Sequence, residues 1–277
     1  MTTTSTIENH FTAWMENPND PTISNKIHAA DGAQQYGFKA ALVGGVTLYG
    51  WCIPTILEAV GEGWLDHGWV EVHFKRPTYP GDEMTIKAVA GADGAWELTA
   101  SKQDGEVCIR ASFGRGDAPF AGIYQLSERM PADPPRENLE RLTMENAPVG
   151  QDLLTMPVKI TAEGARETMS KQLREENPLY TGENAIVHPW AVARHMISLL
   201  GYSYNYGKPS IHISSHIQNL KRIPIGTELA LTGHFVRAYE QNGHHCAVFD
   251  GSYRDANGNE YARVRHTNIF NVRKREG

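Results

Sequence analysis

Two hydrophobic periods alternate along this 277-residue chain. From Val46 to Val60 the apolar positions Val46, Leu48, Tyr49, Ile53, Ile56, Leu57 and Val60 follow helical spacing, and Trp51 and Cys52 fill other sides. A helix that is apolar nearly all round is expected to be wrapped by other elements rather than docked on a surface. Pro54 in its middle removes a backbone donor and predicts a kink. After Gly68 the period changes to two. Val70, Val72 and Phe74 alternate with Glu71, His73 and Lys75, and Met84, Ile86, Ala88 and Ala90 alternate after the turn RPTYPGDE. The turns GADGAW and QDGE then separate two further strands, Trp96 to Lys102 and Val107 to Phe113. One buried helix followed by an antiparallel meander is an α+β layout.

The remaining pattern is read the same way. A short helix is expected around Ile7 to Met15, followed by the turn-rich NPNDPT. Residues 117–150, with MPADPPRENLERL at their centre, read as a linker crossing the surface between units at 1–116 and 151–277. Helices are expected from Ala162 to Glu176 and from Trp190 to Leu200. Strands then resume, with Ile211, Ile213 and Ile217 alternating with His212, Ser214 and Gln218, and His212 reads as a surface or cross-strand residue.

The two units repeat each other. KRPTYPGDEMTI (75–86) aligns with LKRIPIGTELAL (220–231), pairing Gly81 with Gly226 and Glu83 with Glu228. Gly44 and Pro189, taken as the helix starts, stand at the same separation of 145 residues as those glycines. Agreement of element order, turn chemistry and spacing points to an internal duplication.

Composition narrows the function classes. With 40% hydrophobic residues, 21% charged residues and a net charge of −6, nothing favours nucleic acid or an anionic membrane as partner. The start MTTTSTIENHF has neither a basic region nor an apolar core, so a cytoplasmic protein is expected. Cys52, Cys108 and Cys246 are odd in number and far apart, which argues against a disulfide framework. Neither CxxC nor HExxH occurs, so no metal site and no cofactor are expected.

Candidate chemistry gathers just ahead of the first helix. His28 titrates in the useful range, Asp31 follows on the same loop, and the Gly44-Gly45 pair opens the helix at Val46. Free amides at a helix start can hold negative charge developing on a carbonyl oxygen, and glycine lets a substrate come close. The run NKIH (25–28), Asp31, Ala33, Gly37-Phe38 and LVGGVTL (42–48), with RPTYPGD after the first strand, resembles the MaoC-like acyl dehydratases and (R)-specific enoyl-CoA hydratases. NPLY (177–180) and AIVHP (185–189) echo the motif in the second unit.

The resemblance implies a double hot-dog fold and a cofactor-free hydratase or dehydratase acting on an enoyl or 3-hydroxyacyl thioester of CoA or an acyl carrier. His28 would be the acid/base and Asp31 its partner. Gly44, Gly45 and Val46 would hold the carbonyl, and the second unit would help form the acyl tunnel. The family's Asp lies five residues before the His, where this chain has Ile23, so Asp31 or Asp20 would have to substitute. In the second unit Tyr180 replaces the His, and Glu175 and Tyr180 read as remnants, with His188 structural. A thioesterase and a non-catalytic acyl-thioester-binding subunit are the alternatives on the same fold. Two hot dogs in one chain can pair with each other, and a further homodimer remains open.

Overall fold

The period-two stretches form one antiparallel sheet in the computed structural model, which describes residues 5–273. Before the linker come β1 (Thr6–Thr12), α1 (Gly45–Val60), β2 (Gly68–Phe74), β3 (Glu83–Ala90), β4 (Trp96–Lys102) and β5 (Val107–Arg115). After it come β6 (Gln151–Asp152), β7 (Met156–Lys159), α2 (Ala162–Glu167), α3 (Pro178–Thr181), α4 (Pro189–Ser203), β8 (Ile211–Asn219), β9 (Glu228–Gln241), β10 (His244–Arg254) and β11 (Glu260–Asn271). The strand order is β1-β3-β4-β5-β2-β8-β11-β10-β9-β6, and β7 also pairs with β9. The two half-sheets meet where β2 pairs with β8, from Gly68 opposite Asn219 to His73 opposite Ser214.

Inside this sheet α1 is enclosed as its composition requires. Val46, Leu48, Tyr49, Cys52, Ile53 and Ile56 are buried in one hydrophobic cluster that also holds Ala193, Met196, Leu199 and Leu200 of α4. Each such aliphatic side chain contributes roughly 1.5–3 kcal/mol by leaving water. The helix continues through Pro54 without a break. Where α1 passes the second unit it carries Gly50, whose added Cβ would lie 2.7 Å from Leu173 Cδ2. Trp51 Nε1 donates to Leu173 O at 3.1 Å.

The duplication is visible bond by bond. Leu42 N donates to Ile27 O as Ile186 N does to Leu179 O, and Val43 N donates to Thr78 O as Val187 N does to Ile223 O. Gly81 and Gly226 both sit at φ 88°, a backbone region that only glycine enters without strain. The helices begin at Gly45 and Pro189, capped by Gly44 and His188, so the spacing at the helix starts is one residue less than at the turns.

Three expectations need correction. The segment around Ile7 to Met15 is strand β1, in register with β3 from Thr6 opposite Val89 to Thr12 opposite Glu83. Its exposed/half-buried alternation has period two. The duplicate shows why: β7 pairs with β9 in the same way, so an edge strand precedes each unit. The helix expected over Ala162 to Glu176 is α2 followed by a π turn over Thr168–Leu173, stopped at Arg174 with φ 50°. The third concerns His212. A register shift between Thr267 and Asn268 places His212 opposite Asn268 and leaves Ile213 as the extra residue. A bulge reverses which side chains face the core. His212 therefore turns inward, stacking 4.4 Å from Phe74, while His216 stays on the outer face beside Glu71.

The segment after Gly116 is strapped to the outer face of the sheet. Gln218 at the seam accepts from Ala118 N at 2.6 Å and donates to Gly68 O at 3.2 Å. Tyr124 Oη donates to His216 O, and Gln125 N donates to the buried Asp250, which also pairs with Arg265. Cys52, Cys108 and Cys246 are free and buried. No helix among the described residues is long and apolar enough to cross a membrane.

Burial holds two histidines neutral and makes the fold sensitive to acid. The His188 ring and the His212 ring are each pushed down to about 3 by loss of solvation. In the unfolded chain both take up a proton near 6.5, so unfolding binds protons and stability falls as pH drops from 6.5 toward 3. Urea midpoints measured at pH 7 and pH 4.5 should show this loss. The variant His188→Asn, which keeps a cap acceptor for Trp190 N but cannot titrate, should lose less between the two pH values than the native chain.

Candidate active site

The loop from Asn25 to Val43 is pinned at both ends by backbone hydrogen bonds. Lys26–His28 forms one 3-10 turn and Ala33–Tyr36 another, while Leu42 and Val43 pair back to Ile27 and Thr78. His28 Nδ1 lies 2.8 Å from Leu42 O. A carbonyl only accepts, so Nδ1 carries the proton and Nε2 keeps its lone pair. Burial lowers the His28 pKa, the Leu42 carbonyl opposes this, and the charge of Arg194 lowers it further. A neutral imidazole with a bare Nε2 is a base poised for a proton.

The start of α1 supplies the electrostatic complement. Thr47 N and Leu48 N both donate to Gly44 O, and no side chain caps the helix, so the amides of Gly45 and Val46 precede the first intrahelical bond. His28 and residues 43–48 line one open cleft of about 1540 Å³, together with Phe38, Leu42, Phe74 and Thr78. Its far wall comes from the second unit: Trp190 and Arg194 on α4, Tyr204 and Tyr206 after it, and His212 and Asn268 from the sheet. Within that wall His212 Nε2 lies 2.9 Å from Ser215 Oγ, which in turn lies 3.2 Å from His266 Nδ1.

The structure separates His28 from its expected partner. Asp31 is exposed, is absent from the cleft lining, and makes no hydrogen bond among the described residues, while His28 Nδ1 is already taken by Leu42 O. Asp20 does line the cleft, but its Oδ1 accepts from Thr22 N at 2.8 Å and Thr22 Oγ1 at 2.7 Å. Ile23 lines it too, in the place the resemblance reserves for an acid. No carboxylate among the described residues bonds to His28.

The second unit's copy of the loop is closed. Tyr180 is 1% exposed and its ring lies 4.4 Å from His188, which caps α4 by accepting from Trp190 N. Glu175 accepts from Asn177 N at 2.8 Å. A separate pocket of about 330 Å³ lies here, with Trp190, Arg194 and Ser198 lining both it and the large cleft. On the outer face of the seam Glu71, His73 and His216 come together, with Glu71 Oε1 at 2.8 Å from His73 Nε2 and 3.2 Å from His216 Nε2. Those are hydrogen-bond distances. Sequence reasoning missed Arg194, His212 and Asn268. An arginine within the apolar run PWAVARHMISLL was a usable signal, whereas the bulge that turns His212 inward leaves none.

No family model matches the chain, and no curated protein matches it. Solved structures do. The chain is similar to a conserved hypothetical protein of Mycobacterium tuberculosis with a double hotdog fold, at TM-score 0.63 and 10% identity, covering 97% of this chain and 96% of that one. It is similar to a putative MaoC domain protein dehydratase from Chloroflexus aurantiacus at TM-score 0.62 and 13% identity, covering 98% and 95%. A putative oleoyl thioesterase from Lactobacillus plantarum follows at TM-score 0.53 and 9% identity, covering 98% of both chains. The chain is a double hot-dog protein, and MaoC-like dehydratases are among its structural neighbours.

The two glycines at the helix start carry different constraints. A Cβ on Gly45 would lie 2.9 Å from Phe74 Cδ1, whereas one on Gly44 meets only Thr47 Oγ1 at 3.4 Å. Gly45→Ala is therefore expected to destabilise the fold by roughly 1–3 kcal/mol through overpacking, and Phe74→Leu in the same chain should restore much of it. Gly44→Ala should unfold within about 0.5 kcal/mol of the native chain. Denaturant titration of the variants checks all three values.

Proposed function

We propose that the chain is a hydratase or dehydratase of enoyl or 3-hydroxyacyl thioesters, with one working site in the first unit. The observation that carries this reading is the neutral, bare-Nε2 His28 facing the same cleft as the unpaired amides at the α1 start. In the hydration direction His28 Nε2 takes a proton from water as the hydroxide bonds to Cβ. The electron pair moves through Cα to the thioester oxygen, where the amides of Gly45 and Val46 stabilise the enolate. The imidazolium then returns its proton to Cα, so one water is added and His28 is restored. Dehydration is the reverse. One bifunctional histidine thus stands in for the usual acid and base pair, with Asp31 left out of the chemistry.

A thioesterase is the second reading. It is favoured by the missing carboxylate, since a single base that activates water against the carbonyl carbon needs no second acid. The structural likeness to a putative oleoyl thioesterase supports the same alternative. Acyl thioesters are the common substrate class, and the carrier is CoA or an acyl carrier protein.

Incubation with a panel of enoyl-CoA esters should bleach the enoyl absorbance without releasing thiol. Thiol release would select the thioesterase, and an acyl-CoA that raises the melting temperature without either signal would leave a binding subunit. His28→Ala should cut turnover at least a hundredfold with its melting temperature retained. Asp31→Asn should stay within about twofold, and a large loss there would return Asp31 to the mechanism. Because burial and Arg194 both disfavour the imidazolium, the acid limb of kcat/KM should fall below pH 6.5. A limb at or above that value would sink the assignment of His28 as the base.

A further inference from the structure

Arg194 is a cation without a counter-ion in the wall of the reaction cleft. It belongs to the stripe Trp190, Arg194, Ile197, Ser198 and Gly201 by which α4 faces the cleft. Its guanidinium donates to Ser198 Oγ at 3.2 Å and forms no ion pair with any described carboxylate. The acids that line the cleft are engaged elsewhere or away from it. Glu167 and Glu16 pair with Lys171, Asp20 accepts from Thr22, and Glu137 makes no ion pair with Arg194. The Arg194 side chain is exposed to the cleft with no counter-ion beside it, so its guanidinium is free to meet an anion that enters there. The same charge disfavours protonation of His28, so the two groups lie within electrostatic reach of each other across the cleft.

We infer that Arg194 anchors a carboxylate at the far end of the substrate's acyl group, so that the preferred substrate is the thioester of a dicarboxylic acid. This deepens the proposed function and rests on it for the orientation of the thioester. With the carbonyl oxygen at Gly45 and Val46 and the Cα–Cβ bond at His28, the acyl chain continues toward α4. The carrier's phosphates leave in the other direction, separated from the sulfur by the whole pantetheine arm. A planar guanidinium matches a carboxylate with two parallel hydrogen bonds, and Ser198 keeps it oriented. A carboxylate at this point also offsets the charge that weakens His28 as a proton acceptor. The correct substrate thereby improves its own catalyst.

The test compares pentenoyl-CoA with glutaconyl-CoA, in which the terminal methyl is replaced by a carboxylate. The native chain should favour glutaconyl-CoA in kcat/KM. Arg194→Met should lower that preference ratio at least thirtyfold, and Arg194→Lys, which keeps the charge but not the fork, should recover part of it. In parallel, the rise in melting temperature caused by the unreactive glutaryl-CoA should vanish in Arg194→Met while that caused by free CoA persists. A ratio unmoved by Arg194→Met overturns the anchor. Equal loss of free CoA binding overturns it too, and assigns Arg194 to the carrier's phosphates. If neither enoyl ester is turned over but glutaryl-CoA binding still depends on Arg194, the anchor stands and the proposed reaction fails. If pentenoyl-CoA is hydrated and no carboxylate preference exists, the reaction stands and the anchor fails.

Discussion

The pairing of β2 with β8 is the constraint on which the rest of the molecule depends. Each unit holds one helix too apolar to face water, and each half-sheet alone would leave a long edge of unpaired amides and carbonyls. Joining the half-sheets from Gly68–Asn219 to His73–Ser214 removes both edges at once and gives α1 and α4 a common wall. Residues on the outer face reinforce the seam. Gln218 bonds to Gly68 and Ala118, and Glu71 accepts from His73 and His216. The cleft is a consequence of this pairing, because it brings the α4 stripe and the start of β8 opposite the α1 start.

The two units begin their helices differently on a shared framework. Both copies keep the backbone bonds that fold the loop against the helix. In the first copy glycines open the helix and leave its amides bare. In the second, His188 caps the helix through its own Nδ1, Pro189 occupies the first position, and Tyr180 fills the space beside them. At this helix start one amide, that of Trp190, is already taken by a side chain. The second unit contributes wall instead, through Trp190, Arg194 and His212.

The helix at 46–60, the strands after it and the repeat of GD/GT turns were legible because hydrophobic period and turn chemistry are local properties. Over residues 6–12 a short amphipathic stretch satisfies either a helical or a strand period. Its pairing with β3 decided the matter. Simple alternation puts His212 on the polar side of its strand, and one extra residue in the ladder turns it the other way. At the site, the motif points to His28, Asp31 and the glycine pair alike as candidates. That Asp31 stands in solvent without a bond to His28 is not legible there, because three residues along a loop say nothing about which way a side chain turns.

By itself, then, the sequence determined the two-helix, two-meander plan, the duplication and the position of the helix start around which the chain is built. Each of those follows from patterns that neighbouring residues impose on one another. Only the tertiary structure decided which groups share the cleft. It took Nδ1 of His28 for a backbone carbonyl, left Asp31 in solvent, and set an unpaired Arg194 from the other unit in the opposite wall. The His28 bond spans 14 positions of a folded loop and Arg194 comes from 166 positions further along the chain, and a one-dimensional pattern carries no record of either approach.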